Sequence, residues 1–302
     1  MERPYILHLF TPAAQASPFD VNMAADAGWQ MIVPYCGVAL EAVAGLTQDA
    51  IFSRGPKGVA RTGLFIGGRD VVLAADMLER ARQSMVPPFA VSAFADPSGS
   101  YTTAAAMVAA VEQALRRHHD TGLDGKRVLL LGGTGTVGRI AGVLCAQQGA
   151  TARLSSRHGA AAARAVAEET GERFGVSLRG VSGRDTADLH AALADADVVL
   201  GVAAAGVQVM SEADRAQARA LLVAADVNAV PPEGLAGVGV QDQGKPIPGT
   251  RAVGIGALAI GNVKYQVQHR LLQRMREAAK PVAFSFPDAF AVAREVLAES
   301  TA

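Results

Sequence analysis

Apolar residues fall along this chain in short unbroken runs, separated by stretches where they recur every three or four positions. Runs at 5–10, 31–35, 64–66 and 89–94 read as buried strands, and segments 18–27, 39–46 and 71–84 between them read as helices. Strands that alternate with helical segments need crossover connections, so the first hundred residues predict a largely parallel sheet. A long Ala-rich segment follows at 102–119, with Met107, Val108, Val111 and Leu115 on one face. It ends in Arg116, Arg117 and His118, cations that suit the negative end of a helix dipole. The polar stretch 120–126 reads as a turn.

A second series repeats the alternation. Strands are expected at 127–131, 151–155, 176–181, 198–203 and 221–227, with helices at 138–148, 160–174, 186–194 and 215–220. A Gly-rich segment after Ala252 leads into an expected long helix at 262–279 and a short terminal one at 287–298. The fold class is therefore α/β, with two domains and a doubly wound sheet in the second. The expected bounds are 1–105, completed by 265–302, and 106–264.

Length supports two domains, since 302 residues exceed the usual size of one. Lysine plus arginine (28) equals aspartate plus glutamate (28), so there is no positive field for nucleic acid. Two cysteines, Cys36 and Cys145, cannot form a disulfide framework or a four-thiolate zinc site. Gly, Pro or charge interrupts every apolar stretch before about 18 residues, so no membrane span is expected and a cytoplasmic protein is the default. The histidines show no metal-ligand spacing, and no G-x-S-x-G elbow is present.

The strongest local signal is Val128-Leu-Leu-Leu-Gly132-Gly133-Thr134-Gly135-Thr136-Val137-Gly138. Gly133, Gly135 and Gly138 fit G-x-G-x-x-G between an apolar strand and an apolar helix. In that pattern the first glycine permits the turn, the second admits a pyrophosphate against the backbone, and the third lets helix and strand pack. The helix N-terminus then holds the anion. A glycine turn that binds nothing is the competing reading.

The end of the next strand selects the nucleotide. NAD sites place an acid there, roughly 20 residues past the glycines. Here the strand ends Ser155-Ser156-Arg157, and two hydroxyls with a guanidinium suit a 2′-phosphate. NADP is expected, with NAD also accepted. Ala204, in a run of small residues after the strand at 198–203, leaves room for a nicotinamide ribose. Asp226 and Asn228 follow the next strand and either contact the nicotinamide end or set up a turn for Pro231-Pro232.

On the other side, Asp96-Pro97-Ser98-Gly99-Ser100-Tyr101-Thr102-Thr103 stands at a strand end and opens a helix, where α/β sheets bind ligands. Ser100 as an N-cap is the plainer reading. Ser17-Pro18-Phe19-Asp20 follows the first strand in the same way, and Asp20 either binds a donor-rich heterocycle or caps a helix.

These segments together resemble the NAD(P)-dependent methylene-tetrahydromethanopterin/methylene-tetrahydrofolate dehydrogenases of methylotrophic bacteria. The resemblance runs through Ser17–Asp20, Ile51–Gly55, Phe65–Gly68, 96–106, Gly132–Gly138, Ala225–Pro232 and Gly256–Lys264, nearly the whole chain in order. It implies a pterin-binding α/β domain joined by long helices to a Rossmann domain, and a homo-oligomer. It implies transfer of a hydride from the methylene bridge to nicotinamide, giving the methenyl form, within one-carbon and formaldehyde metabolism. The methenyl cation is stabilised by the substrate's own two nitrogens, so no general base is demanded of the protein. The resemblance further makes Asp20, Asp96, Ser98, Thr102 and Thr103 candidates for the pterin and Lys264 the candidate catalytic residue, orienting substrate or shaping the local field. A solvated helix lysine is the plainer alternative for Lys264.

Two other functions compete. A shikimate-dehydrogenase-like reductase would need a Lys-Asp pair in its first domain, but Lys57 is the only lysine before Lys126 and sits in a turn-like Gly-Pro-Lys-Gly. A non-catalytic NADP sensor would keep the glycine loop without needing the 96–103 segment or Lys264.

Overall fold

A computed structural model describes residues 3–300. The chain begins with strands β1 (Ile6–Phe10), β2 (Met31–Tyr35), β3 (Thr62–Ile66) and β4 (Ser92–Ala95). Helices α1 (Pro18–Asp26), α2 (Val43–Phe52), α3 (Pro56–Val59) and α4 (Val71–Gln83) lie between them. Helix α5 (Ser100–His119) leads to strands β5 (Arg127–Leu131), β6 (Thr151–Ser156), β7 (Arg179–Ser182), β8 (Val198–Gly201) and β9 (Val223–Asp226). Their crossover helices are α6 (Thr136–Gln147), α7 (Ala160–Phe174), α8 (Thr186–Leu193) and α9 (Glu212–Arg215). Strands β10 (Gln243–Pro246) and β11 (Val253–Ile255), helix α10 (Ala257–Glu277), strand β12 (Ala283–Phe284) and helix α11 (Phe286–Glu299) complete the chain.

Two compact units result, residues 1–102 with 265–292, and residues 103–264 with 293–302. The bounds fall inside α5, α10 and α11.

The first unit holds a parallel five-stranded sheet in the order β12-β4-β3-β1-β2. Strands β3 and β4 are buried throughout, and Leu7, Leu9, Phe10, Leu64, Phe65 and Phe94 are almost wholly out of solvent. Phe65 meets Phe94 edge to face across the β3–β4 pair, at 5.4 Å between ring centroids. Strand β2 contains Pro34, which cannot donate to a ladder, and it takes the edge position where that costs nothing.

The second unit holds seven strands in the order β10-β11-β9-β8-β5-β6-β7, parallel except for the antiparallel edge β10. Counting from β5, its six parallel strands follow the Rossmann order 3-2-1-4-5-6, so the order reverses between β5 and β8. Leu129, Leu131, Leu193, Val199, Leu221 and Leu235 belong to the hydrophobic core on one face.

Several elements depart from the sequence expectation. The helix expected at 215–220 is instead α9 at Glu212–Arg215, and the residues after it form turns. The segment expected as one helix at 39–46 is a 3₁₀ turn at Leu40–Ala42 followed by α2, which runs on to Phe52. The Gly-rich segment after Ala252 is a strand and the first turn of α10, because pairing with β9 fixes Val253–Ile255 and Ala257 already begins the helix. Edge strands β10 and β12 had no sequence signal: each is four residues or fewer and made of polar, Gly or Ala positions beside one or two apolar ones.

Close approach of helix to sheet is limited by single residues. A Cβ placed at Gly180 in β7 would lie 2.2 Å from the Arg164 amide nitrogen and 2.3 Å from the Ala163 carbonyl carbon. Helix α7 therefore rests its backbone directly on this strand. Gly180→Ala is expected to cost about 1–3 kcal/mol through overpacking, read as a lower urea midpoint.

Candidate functional site

Strand β5 ends at Leu131 and the chain turns at Gly132, whose φ of +77° is in the left-handed region that glycine tolerates. The turn is thus made one residue before the first glycine of the expected pattern. Gly133 has a different reason to be glycine, since its Cβ would lie 2.7 Å from the Leu130 carbonyl oxygen and 2.9 Å from Leu154 Cα. A Cβ at Gly138 would lie 2.6 Å from Gly133 Cα, so glycine there sets how closely α6 approaches the loop. Gly135 is unlike these, because a Cβ there meets nothing nearer than the Gly132 carbonyl oxygen at 3.4 Å. No protein atom forbids a side chain at Gly135. It is also the N-cap of α6 and provides no side-chain acceptor to the first-turn N–H groups.

In front of Gly135 lies a cavity of about 680 Å³, bounded by the carboxyl ends of β5, β6, β7 and β8. This is the crevice where the strand order reverses, the usual ligand position in an open α/β sheet. Of the residues singled out from sequence, Thr134, Gly135, Ser155, Ser156, Arg157 and Ala204 line it. Gly133, Thr136, Val137, Gly138 and Asn228 are not on its wall. The residues fit a dinucleotide: Gly135 lines the cavity with no protein atom crowding its Cβ position, and uncapped N–H groups stand at the start of α6.

Asn228 is held by its own loop. Its side-chain oxygen accepts from the Gly206 and Val230 amides, both at 3.0 Å, and its amide nitrogen donates to the Pro232 carbonyl at 2.7 Å. Asp226, 2% exposed, accepts from the Asn228 and Leu235 amides at 3.0 Å each. Burial pushes its carboxyl above the usual range, and the backbone bonds offset this only in part. On the far wall of the cavity, Asp214 accepts from the Ser211 hydroxyl at 2.7 Å and lies 2.8 Å from His190 Nε2. Burial alone would raise the Asp214 carboxyl, yet the bonds from Ser211 and His190 hold it below the ordinary range.

The turn after β7 adds His158's neighbour Arg184, with Gly183 and Asp185, to the same cavity. None of these three was anticipated. They lie beyond an entire helix in the chain, and only the β6–β7 pairing brings them beside Ser156 and Arg157.

In the first unit, Asp96 is fully buried at the end of β4. One carboxylate oxygen accepts from the Tyr101 and Thr102 amides at 3.0 and 3.1 Å, and the other accepts from the Thr102 hydroxyl at 2.7 Å. The capping expected of Ser100 therefore falls to Asp96, while the Ser100 hydroxyl donates to the Pro97 carbonyl. The chain turns between them at Ser98, φ +52°, whose exposed hydroxyl donates to the Gly68 carbonyl at 2.9 Å. Thr103 is half-buried one position past Thr102. Asp20 lies buried in α1 and accepts from Gln268 Nε2 of α10 at 3.0 Å. Lys264 is half-buried on α10. Gln268 was not anticipated, because its contact with Asp20 joins residues from opposite ends of the chain.

Fold and site together define a two-domain α/β protein whose second domain has Rossmann strand order and a glycine cradle for a dinucleotide. Residues 18–98 match the family model described as methylene-tetrahydromethanopterin dehydrogenase, N-terminal. The chain is 48% identical over 291 residues to the NAD(P)-dependent methylenetetrahydromethanopterin dehydrogenase of Methylorubrum extorquens, covering 96% of this chain and 98% of that protein. It is 32% identical to the protein named bifunctional protein MdtA of the same organism, again over 96% and 98% of the two chains. The chain belongs to the family of NAD(P)-dependent methylenetetrahydromethanopterin dehydrogenases. Among solved structures, the shikimate 5-dehydrogenase of Listeria monocytogenes has a TM-score of 0.50 at 13% identity, over 97% of this chain and 96% of that one. That likeness is one of fold.

The glycines separate experimentally. Gly138→Ala is expected to lower stability by about 1–3 kcal/mol, because its Cβ meets backbone. Gly135→Ala should cost less than about 1 kcal/mol in the same urea titration, as a change at an uncrowded helix cap.

Proposed function

We propose that this protein is an NAD(P)-dependent dehydrogenase that oxidises methylene-tetrahydromethanopterin, or the tetrahydrofolate analogue, to the methenyl form, with NADP preferred. The observation that carries this reading is 48% identity along nearly the whole chain to a dehydrogenase of that name. The glycine cradle supports the cofactor half of it. The nicotinamide, when bound, supplies the hydride acceptor.

The chain's own residues bind and orient. Thr134 and Gly135, on the cavity wall at the start of α6, hold the pyrophosphate, while Thr136 and Val137 continue the first turn behind them and Gly133 and Gly138 keep that turn in place. Ser155, Ser156 and Arg157 take the 2′-phosphate. Ala204 leaves room for the nicotinamide ribose, and Asn228 anchors that loop through the Gly206 amide.

On the pterin side, Asp20, Ser98 and Thr103 are the contacts, with Asp96 and Thr102 fixing the turn that presents them. Lys264 orients the substrate. Held as a cation directly against the forming methenyl cation it would oppose the reaction, so its charge belongs at a distance from the reacting carbon. The methenyl charge is spread over two substrate nitrogens and no proton has to move, so the rate depends on alignment. The family resemblance supports a homo-oligomer working in the cytoplasm. Among the described residues no helix is long and apolar enough to cross a membrane.

Absorbance at 340 nm tests the reading, with methylene-tetrahydromethanopterin or methylene-tetrahydrofolate and either NADP or NAD. Turnover of the methanopterin form with NADP is expected. Turnover of the folate form alone would move the substrate assignment, and no turnover of either despite tight NADP binding would overturn the dehydrogenase reading. Gly135→Ala should weaken NADP binding by about tenfold or more, since its methyl group enters the cavity.

A further inference from the structure

Resting on the cavity being a dinucleotide site, we infer that Arg184 is a second guanidinium for the ribose 2′-phosphate and sets the preference for NADP over NAD. The position of this side chain is built from both neighbouring strands. The turn after β7 is tied to the end of β6 by the Gly183 amide, which donates to the Ser156 carbonyl at 3.0 Å. The approach is close enough that a Cβ at residue 183 would lie 2.3 Å from Ser155 Oγ and would turn that hydroxyl away. Arg184, one residue on, donates from Nη2 to the His158 carbonyl at 3.0 Å. Its guanidinium occupies space that glycine leaves open, since a Cβ at Gly159 would lie 2.7 Å from the same nitrogen. Arg157 and Arg184 thus stand on the same cavity wall as Ser155 and Ser156, from two adjacent strand ends.

The nearby acids are engaged elsewhere. Asp185 accepts the Asp188 amide at 2.9 Å as the N-cap of α8, and Asp188 accepts the Ser182 hydroxyl. Among the described residues neither Arg157 nor Arg184 forms an ion pair with a carboxylate. Two exposed cations beside two hydroxyls make a positive rim suited to a phosphate dianion. An NAD ribose presents no charge there, so Arg184 acts on NADP alone. Its contact with His158 leaves the other guanidinium N–H groups to donate outward, and the planar fork suits phosphate oxygens.

The test is calorimetric binding of 2′,5′-ADP and of 5′-AMP to the full chain and to Arg184→Ala and Arg184→Lys, with KM for NADP and NAD alongside. Arg184→Ala is expected to weaken 2′,5′-ADP about tenfold or more and to leave 5′-AMP within about twofold. Arg184→Lys should recover part of the loss, since it keeps charge without the fork. A urea midpoint close to the parent's shows that each variant folds. Equal weakening of both nucleotides would assign Arg184 to adenine stacking or loop structure and overturn the inference, as would no weakening of either. If the parent chain binds neither nucleotide, the dinucleotide reading of the cavity fails and the inference falls with it. Parent binding with an indifferent Arg184→Ala overturns the inference alone.

Discussion

Approach of backbone to backbone, with no side chain between, is the constraint on which the second domain depends. Gly132 passes the Ala203 backbone, Gly133 passes Leu154 Cα, and Gly138 passes Gly133, each at a separation where a Cβ would sit within 3 Å of another atom. These approaches pull the ends of β5, β6 and β8 together, so that helix α6 starts directly beside the point where the strand order reverses. The cavity is what remains once those backbones have closed up. Gly135, the one glycine of the loop without crowding, faces that space. Packing thus requires glycine at the first three positions, while no protein atom requires it at Gly135, and the distance to the nearest atom tells the two cases apart.

Buried carboxylates do comparable work at the loops. Asp96 and Asp226 both end a strand, both are out of solvent, and both accept backbone amides from the turn that follows. A buried carboxyl group is satisfied when backbone N–H groups point at its oxygens, and its removal leaves those donors unpaired. The turns are therefore fixed before any ligand arrives. Ser98, held in a left-handed conformation with its hydroxyl on Gly68, is a consequence of the Asp96 turn. So is the early start of α5 at Ser100, two residues ahead of the expected position.

Polar side chains that looked equivalent in the sequence separate in the fold. Asp20 and Asp96 each follow a strand and open a helix, and both read as pterin contacts or as caps. Asp96 caps α5, whereas Asp20 sits inside α1 and takes a bond from Gln268. Ser155, Ser156 and Arg157 reach the cavity, while Asn228 is engaged with the Gly206, Val230 and Pro232 backbone. Hydrogen-bond partners made this distinction, and partners far apart in the chain have no local signature.

The sequence by itself determined the alternation of strands and helices, the two-part α/β organisation, and the glycine loop between β5 and α6. These features are local: apolar runs, helical periodicity and glycine spacing all act within a few residues of each other. Tertiary structure alone decided the strand order, the minor edge strands β10 and β12, the turn at Gly132, and the arrival of Arg184 beside Arg157. Each of those depends on which strand lies next to which. Hydrogen bonding between parallel strands sets that adjacency through helices of a dozen residues or more, beyond the reach of any local pattern.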